Sequence, residues 1–563
     1  MTLVRRAALA AALAATLPAC QGNGAPGATG KPAPVASLVI YGRVWTGDSA
    51  RPWAAAVAVA GDTIVAVGDS SAVAAYQGSG TRVVNNGAAM VAPGFNDAHV
   101  HFGSGGFQLT SVDLRDANTP QEFIARLKAY AATLKPGEWI VGGDWDHERW
   151  AGSPLPRRDW IDSVTPKNPV FVNRLDGHMG VANSLALGLA KVSRATKDIA
   201  GGTIVRDPDG TPTGILKDNA QDLVYGAMPN PSPERTDSAI ARATAWAASK
   251  GVTGVSAVSV GWGELAAMKR AYRNGTLHTR ISAYVPLEAW RRMADTLKAD
   301  GPGDDFLRVA GVKGFVDGSL GSRTALFYEP YADDASTSGL LVTPEDSLRR
   351  WIGGADSAGL QVVVHAIGEK ANGLVLDIYD SVAKAHGARD RRFRIEHAQH
   401  LRPVDAPRLA RIGVVASMQP YHAIDDGRWA EKRVGPDRIR NMYIFRTLLD
   451  DHTHLAFGSD WTVAPIDPLL GIYAAVTRRT LDDKNPGGWI PEQKISVDEA
   501  LRAYTAGDAY AAFGERVRGV LRPGMKADLV VLDQDLTTIR PEEIRNAKVR
   551  MTVVNGKVVF PAQ

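Results

Sequence analysis

Eight short apolar runs alternate with longer amphipathic stretches through the middle of the chain, and this alternation limits the fold more than any other feature. Repeated units of strand, polar loop and helix are typical of parallel sheets. Eight such units favour a TIM-type (β/α)8 barrel of the α/β class, predicted here over residues 91–515. The runs are "AAMVAPGFNDAHVHF", "VTGVSAVSV", "RISAYVPL", "RVAGVKGFVDG", "LQVVVHAIG", "FRIEHAQH", "GVVASMQP" and "HLAFGSDW".

Both ends of the chain are rich in β-branched residues. "SLVIYGRVWTG" and "AAVAVAGDTIVAVG" precede the barrel, and "ADLVVLDQD" and "MTVVNGKVVF" follow it. These runs predict antiparallel strands, the last pair joined by a turn at Asn555-Gly556. The sequence therefore predicts one small composite β-sandwich built from residues 37–90 and 516–563.

Residues 103–250 are too many for a single crossover between barrel strands one and two. The interval contains strand-like runs of its own, "WIVGGDWD" and "NPVFVNRLDGHMG". We expect an inserted cap in this interval, beside the mouth of the barrel.

The N-terminus has the layout of an export signal. Residues 1–19 place Arg5 and Arg6 before a short Ala/Leu-rich stretch, and "LPAC" resembles the end of a bacterial lipoprotein signal. Cys20, the lipidation site in this interpretation, is the single cysteine, so an intramolecular disulfide is excluded. Residues 20–36 predict a flexible tether, and Gln21 favours an outer-membrane anchor facing the periplasm.

Length and charge exclude some classes of function. The chain has 563 residues, 45% of them apolar, which suffices for one large core. Lysine and arginine total 64 against 60 acidic residues, so the charge balance gives no reason to expect nucleic-acid binding. We expect a small-molecule substrate and a membrane contact through the lipid anchor. The sequence leaves open whether the protein forms a homo-oligomer.

Residues suited to metal binding fall where the predicted strands end. His99 and His101 are separated by one residue, so an extended strand directs both to one face. Catalytic residues of TIM barrels lie at the C-terminal ends of the strands. The others with this placement are Lys313 on strand four, His365 after strand five, His397 after strand six and Asp460 after strand eight.

The motifs that carry these residues resemble the amidohydrolase superfamily. They are "APGFNDAHVH", "VKGFVDGSLGSRTA", "VVVHAIGEKAN", "RIEHAQH", "FGSDW" and the closing "LRPGMKADLVVLD". The resemblance is to the amidohydrolase-3 branch, which contains YtcJ-like proteins and N-substituted formamide deformylases, and it runs from about residue 37 to 560.

The resemblance implies two divalent metal ions, for which imidazole and carboxylate ligands favour zinc. His99, His101 and Asp460 would bind one ion, and His365 and His397 the other. Lys313, carboxylated by carbon dioxide, would bridge them. A metal-activated hydroxide would attack the carbonyl of a non-peptide amide, and Asp460 would transfer the proton to the leaving nitrogen.

The substrate-binding candidates rest on weaker patterns. His178 in "DGHM" belongs to the expected cap and is predicted to contact substrate. Asp317 and Arg323 in "DGSLGSRTA" are also predicted to bind substrate, with an ion pair that braces the loop as the equal alternative. His400 lies three residues after His397 and is the alternative histidine for strand six.

Two other functions stay open from the sequence. A mononuclear ring deaminase of the same superfamily would keep the histidines and Asp460 but leave Lys313 outside the metal site. The spacing from His365 to Glu369 is one residue longer than such deaminases prefer. A non-catalytic surface lipoprotein that captures a ligand or metal is the second alternative, although it would have no need of Asp460 as a proton shuttle.

Overall fold

A computed structural model describes residues 34–561. Within these residues the strands form three sheets, of eight, seven and six strands. The predicted signal peptide and Cys20 lie outside the described residues. Inside them we find no helix with the length and apolar character needed to cross a membrane.

The eight-stranded sheet is the predicted barrel. Its strands pair in parallel and follow one another in chain order. A bridge between Val100 and Trp461 joins the first strand to the segment after the eighth, so the sheet is nearly closed. Barrel strands one to eight are Phe95–Val100, Val252–Ala257, Arg280–Pro286, Leu307–Phe315, Gln361–Ala366, Arg394–His397, Val415–Met418 and Leu455–Phe457. Each predicted run overlaps one of these strands, which confirms the TIM-type fold.

The barrel strands are largely buried, and most are rich in apolar residues, as expected where helices cover the outer face of a parallel sheet. In strand five, Gln361–Ala366, all six residues are buried. The α-helices of the described chain are Ser70–Ala74, Phe102–Gln108, Pro120–Ala131, Arg158–Asp162, Ser184–Leu189, Asp222–Tyr225, Pro233–Ser249, Trp262–Arg273, Trp290–Asp300, Glu345–Ser357, Glu369–His386, Ala406–Ile412, Pro420–Asp426, Ala430–Arg438, Phe445–Asp450, Pro468–Thr477, Val497–Arg502 and Asp508–Ala511.

The seven-stranded sheet combines both ends of the chain. Arg82–Pro93 pairs with the N-terminal strand Leu38–Trp45 on one side and with the C-terminal strand Leu529–Leu532 on the other. Arg280 at the start of barrel strand three donates to Asp528 at 2.5 Å, and both side chains are buried. This contact fixes the sheet against the barrel. The strands are Leu38–Trp45, Trp53–Ala60, Thr63–Gly68, Arg82–Pro93, Leu529–Leu532, Val549–Val554 and Lys557–Phe560.

The six-stranded sheet lies between barrel strands one and two in the chain, as the long interval predicted. Its strands are Val112–Asp113, Ile140–Trp145, Val170–Arg174, Met179–Ala182, Gly202–Arg206 and Pro212–Asp218. We call this part of the chain the insertion. Lys217 of the insertion donates to the Ser322 carbonyl at 2.9 Å, in the loop after barrel strand four. Arg428, beyond barrel strand seven, donates to Asp146 at 3.0 Å. These bonds hold the insertion at the barrel mouth.

Candidate metal centre and active site

His99 and His101 meet one carboxylate at the end of barrel strand one. The Nε2 atoms of both histidines lie 3.4 Å from Oδ1 of Asp460. Nδ1 of His99 lies 2.5 Å from Oε2 of Glu396, so that carboxylate orients the ring and leaves Nε2 directed at Asp460. His99 is fully buried, whereas the side chain of His101 keeps 29% of its exposure.

His397 completes a tight group with His99 and Asp460. Each of these three offers a ligand atom, and the three atoms lie within 4.8 Å of one another. Nδ1 of His397 donates to Gln419 at 2.8 Å, so Nε2 carries the free lone pair. His397 and Asp460 both have left-handed backbones, with φ of 73° and 58°. Such conformations cost about 1–3 kcal/mol each and are found mainly at functional sites.

Lys313 and His365 lie next to this group. Nζ of Lys313 is 3.4 Å from Nε2 of His99, and the lysine is 1% exposed. The ring of His365 is 4.6 Å from that of His397, although its Nε2 contacts the Gly318 carbonyl at 3.1 Å. The structure thus brings all six predicted ligands to one end of the barrel.

Three imidazoles of the centre, those of His99, His365 and His397, are in the neutral form that binds metals. Burial lowers the pKa of His99 to about 4, and it lowers the pKa values of His365 and His397 as well. Burial alone would raise the pKa of Asp460, but the surrounding imidazoles bring that pKa well below its usual value. His99, His365 and His397 are therefore neutral at neutral pH, whereas the Asp460 carboxylate is ionised.

These residues fit a divalent metal ion. Oδ1 of Asp460 is buried and has no hydrogen-bond partner in the described chain. A buried anion without a donor is costly unless a cation compensates it. Imidazole nitrogen and carboxylate oxygen are the ligand atoms that zinc and similar ions prefer.

Comparison with known proteins decides the family. The amidohydrolase family, in its amidohydrolase-3 form, matches residues 82–560 of this sequence. The chain belongs to the amidohydrolase family. The resemblance that the sequence motifs indicated is confirmed.

The amidohydrolase has relatives along most of its length. It is 40% identical over 536 residues to protein LONG AFTER FAR-RED 3 of Arabidopsis thaliana, covering 93% of this chain and 91% of that protein. It is 33% identical to the putative amidohydrolase YtcJ of Bacillus subtilis (strain 168), covering 86% of this chain and 92% of that protein. It is 28% identical to the N-substituted formamide deformylase of Arthrobacter pascens, covering 92% and 97% respectively.

A solved structure agrees with these relatives. The crystal structure of an uncharacterised metal-dependent hydrolase from Pyrococcus horikoshii OT3 superposes with a TM-score of 0.73 at 31% identity. The match covers 90% of this chain and 99% of that one. The amidohydrolase described here is accordingly a metal-dependent hydrolase that acts on carbon–nitrogen bonds.

The predicted substrate residues of the amidohydrolase separate into two groups. His178 lines the small pocket above the centre, with its ring 5.0 Å from that of His365. Asp317 is fully buried and accepts from the backbone N–H groups of Leu326, Ile367 and Gly368 at 2.8–3.0 Å.

Arg323 pairs with Asp333 at 2.9 Å. Asp317 and Arg323 are therefore placed to brace the loop, which is the alternative that the sequence left open for them. Nδ1 of His400 donates to the Ile367 carbonyl at 3.2 Å, and its ring packs on Phe327, outside the pocket lining.

Sequence reasoning missed four residues of the site. Glu396 orients His99, and Gln419 orients His397. His422 lines the pocket with Nε2 4.0 Å from Asp460, and Asp218 holds His178 at 2.6 Å. A signal existed for Glu396 alone: "FRIEH" places two charged residues inside an otherwise apolar buried strand, and such residues must be paired.

Proposed function

We propose that this amidohydrolase hydrolyses a non-peptide carbonyl–nitrogen bond in an N-formyl, N-acyl or cyclic amide. The observation that carries the proposal is the buried Oδ1 of Asp460, which has no hydrogen-bond partner among residues 34–561 and lies 3.4 Å from the Nε2 atoms of both His99 and His101. We further propose that His99, His101, Lys313, His365, His397 and Asp460 hold two zinc ions. Bound metal would polarise the scissile carbonyl and lower the pKa of water.

Asp460 has the placement of a general base and acid. Its carboxylate is ionised and faces the pocket, so it can accept the proton of the attacking water. The same carboxyl group then delivers that proton to the leaving nitrogen. No serine or cysteine nucleophile is needed for this sequence of steps.

We propose that His178 binds the substrate carbonyl and that Asp218 orients its ring. Nδ1 of His178 donates to Oδ1 of Asp218 at 2.6 Å, which fixes the ring. Burial alone would lower the pKa of His178, but the Asp218 carboxylate raises it above its usual value, and in the protonated ring Nε2 is also a donor. Asp218 has φ 46° and ψ −129°, a strained backbone for a residue with a side chain. We call this pair the insertion dyad, because both residues come from the insertion.

The dyad gives a separate prediction. His178→Ala should lower kcat by about 10²- to 10³-fold with a smaller change in KM, since a donor that strengthens its bond in the transition state is lost. Asp218→Asn should lower kcat less, by roughly tenfold, because it only weakens the orientation of the ring. Steady-state kinetics checks both values.

The chain offers a matched control for the dyad. His386 pairs with Asp356 at 2.8 Å on the outside of the barrel, remote from the pocket lining. His386→Ala should leave kcat unchanged. If His178→Ala also leaves kcat unchanged, the dyad has no part in the reaction.

A substrate panel tests the proposed function. Zinc-loaded protein should hydrolyse members of a set of N-formyl amines, N-acyl amines, cyclic amides and esters, lose this activity on chelation and recover it with zinc. Release of ammonia from aminopurines or aminopyrimidines instead would favour the ring deaminase. Tight metal binding with no turnover of any compound would contradict an amidase.

We propose export and lipidation for the N-terminus. The support is the sequence alone, namely the charged start, the short apolar stretch and "LPAC". Mass spectrometry of the cell-envelope protein should find a lipid-modified Cys20 at the mature N-terminus. An unmodified chain beginning at Met1 would contradict this proposal.

A further inference from the structure

A large cavity continues from the candidate metal centre into the insertion. Its volume is about 940 Å³, and His101 lines one end of it. The space directly above the centre is about 50 Å³, which admits only a few atoms. Arg174, Asp176 and Val463 line both spaces, so the small reaction pocket opens into the large cavity.

Much of the cavity wall is apolar or aromatic. The side chains come from the first barrel helix and from the insertion with its following loop. They are Phe107, Tyr130, Leu134, Trp139, Tyr225 and Met228. Pockets of 300–1,000 Å³ with such walls typically enclose drug-sized ligands.

The acidic groups of this cavity already have partners. Asp144 accepts from Gln108 and lies 3.8 Å from Arg115. Asp176 is paired with Arg174 at 2.6 Å. Glu138 accepts from the Lys135 backbone N–H at 2.7 Å. An apolar substituent would bury surface against the aromatic wall, whereas the one further cation of this lining, Arg235, belongs to an exposed residue.

We propose that the cavity binds a bulky, apolar substituent of the scissile amide, one that is larger than a single aromatic ring. This inference rests on the proposed function and names its substrate class. Only the amide group enters the small pocket, and the substituent extends past His101 between the barrel mouth and the insertion. Short formamides would leave most of the 940 Å³ to water.

A graded substrate series tests the inference. N-formyl derivatives of methylamine, butylamine, 2-phenylethylamine and 4-biphenylmethylamine share one scissile bond and differ only in the substituent. Each buried methylene should raise kcat/KM about threefold to fourfold. Equal kcat/KM across the series would overturn the inference while leaving the proposed function intact.

Two tryptophan variants locate the effect. Trp139→Ala removes part of the cavity wall and should lower kcat/KM for the biphenyl substrate by roughly tenfold, while the N-methyl substrate is unchanged. Trp246→Ala is the matched control, because Trp246 is 40% exposed and does not line the cavity. An equal loss for both substrates in Trp139→Ala would contradict a substituent site.

A binding measurement decides the question even without turnover. Calorimetry measures the affinity of zinc-loaded protein for N-methylurea and N-(4-biphenylmethyl)urea. These ureas keep the carbonyl and N–H groups of an amide but hydrolyse very slowly. The biphenyl urea should bind at least about tenfold more tightly, and Val141→Trp, which fills the cavity, should remove that preference. No preference in the unaltered protein would overturn the inference. Absence of amide hydrolysis together with a clear preference would refute only the proposed function.

Discussion

Asp460→Asn is expected to lower kcat by at least about 10³-fold while the protein stays folded. The substitution removes the charge that faces the imidazoles of His99, His101 and His397. It also removes the group that accepts and returns the proton, and positioned acid–base groups contribute about 10²- to 10⁴-fold. Asp460 is also a proposed metal ligand, and loss of that ligand would lower kcat further.

Metal content separates the two causes. The unaltered protein and Asp460→Asn are each titrated with zinc until activity no longer increases, and bound metal is then measured by elemental analysis. A variant that binds zinc normally and remains 10³-fold slower would show that Asp460 acts in proton transfer. One that recovers full kcat at high zinc would show that Asp460 is a ligand alone.

Asp450→Asn is the matched control for this change. The same change from aspartate to asparagine is made on the surface. The side chain of Asp450 is 65% exposed and pairs with Arg446. Exposed ion pairs contribute only about 0–1 kcal/mol to stability. Its kcat should equal that of the unaltered protein, and a loss in both variants would point to a general effect of the substitution.

The barrel could be predicted because most of its strands are easy to recognise in the sequence. Parallel strands buried on both faces are often continuous apolar runs, such as "QVVVHA", so a histidine near the end of such a run is conspicuous. His99, His365 and His397 could therefore be assigned to one mouth before any contact was known. Their convergence depends on strand order alone, which the βαβ rule fixes.

The residues that orient the ligands depend on contacts that no local pattern encodes. Gln419 meets His397 across 22 positions and Glu396 meets His99 across 297. Asp218 reaches His178 only because two strands of the insertion bring them together. In the sequence, a glutamine or aspartate looks the same whether it contacts solvent or orients another side chain. The roles of Gln419 and Asp218 could therefore be assigned only from the three-dimensional structure.

The loop after barrel strand four shows the same limit. The sequence left two equal alternatives for Asp317, a contact with substrate or bracing of the loop. In the fold its carboxylate receives three backbone N–H groups, including those of Ile367 and Gly368 after barrel strand five. The cavity walls were also beyond prediction, since Trp139 and Met228 meet only through the packing of the insertion.

Lys313→Met is expected to abolish turnover and to reduce bound zinc from two equivalents to one. The lysine is buried, and its Nζ is 3.4 Å from His99 Nε2, so it belongs to the centre itself. Burial lowers the pKa of Lys313 to about 8, which leaves about one amine in ten unprotonated at pH 7. Only the free amine reacts with carbon dioxide, so this lysine is suited to become the carbamate that bridges two ions.

Three measurements distinguish the bridged centre from a single-metal site. Zinc-loaded protein exchanged with ¹³C-bicarbonate should show a carbamate carbon signal that Lys313→Met lacks. Apo-protein should regain activity with zinc more slowly in buffer freed of carbon dioxide. Lys298→Met, an exposed lysine with 81% of its side-chain surface accessible, should keep both the signal and the activity. Full turnover with one zinc in Lys313→Met would eliminate the bridge and favour the mononuclear form, because the histidines and Asp460 would then suffice for catalysis.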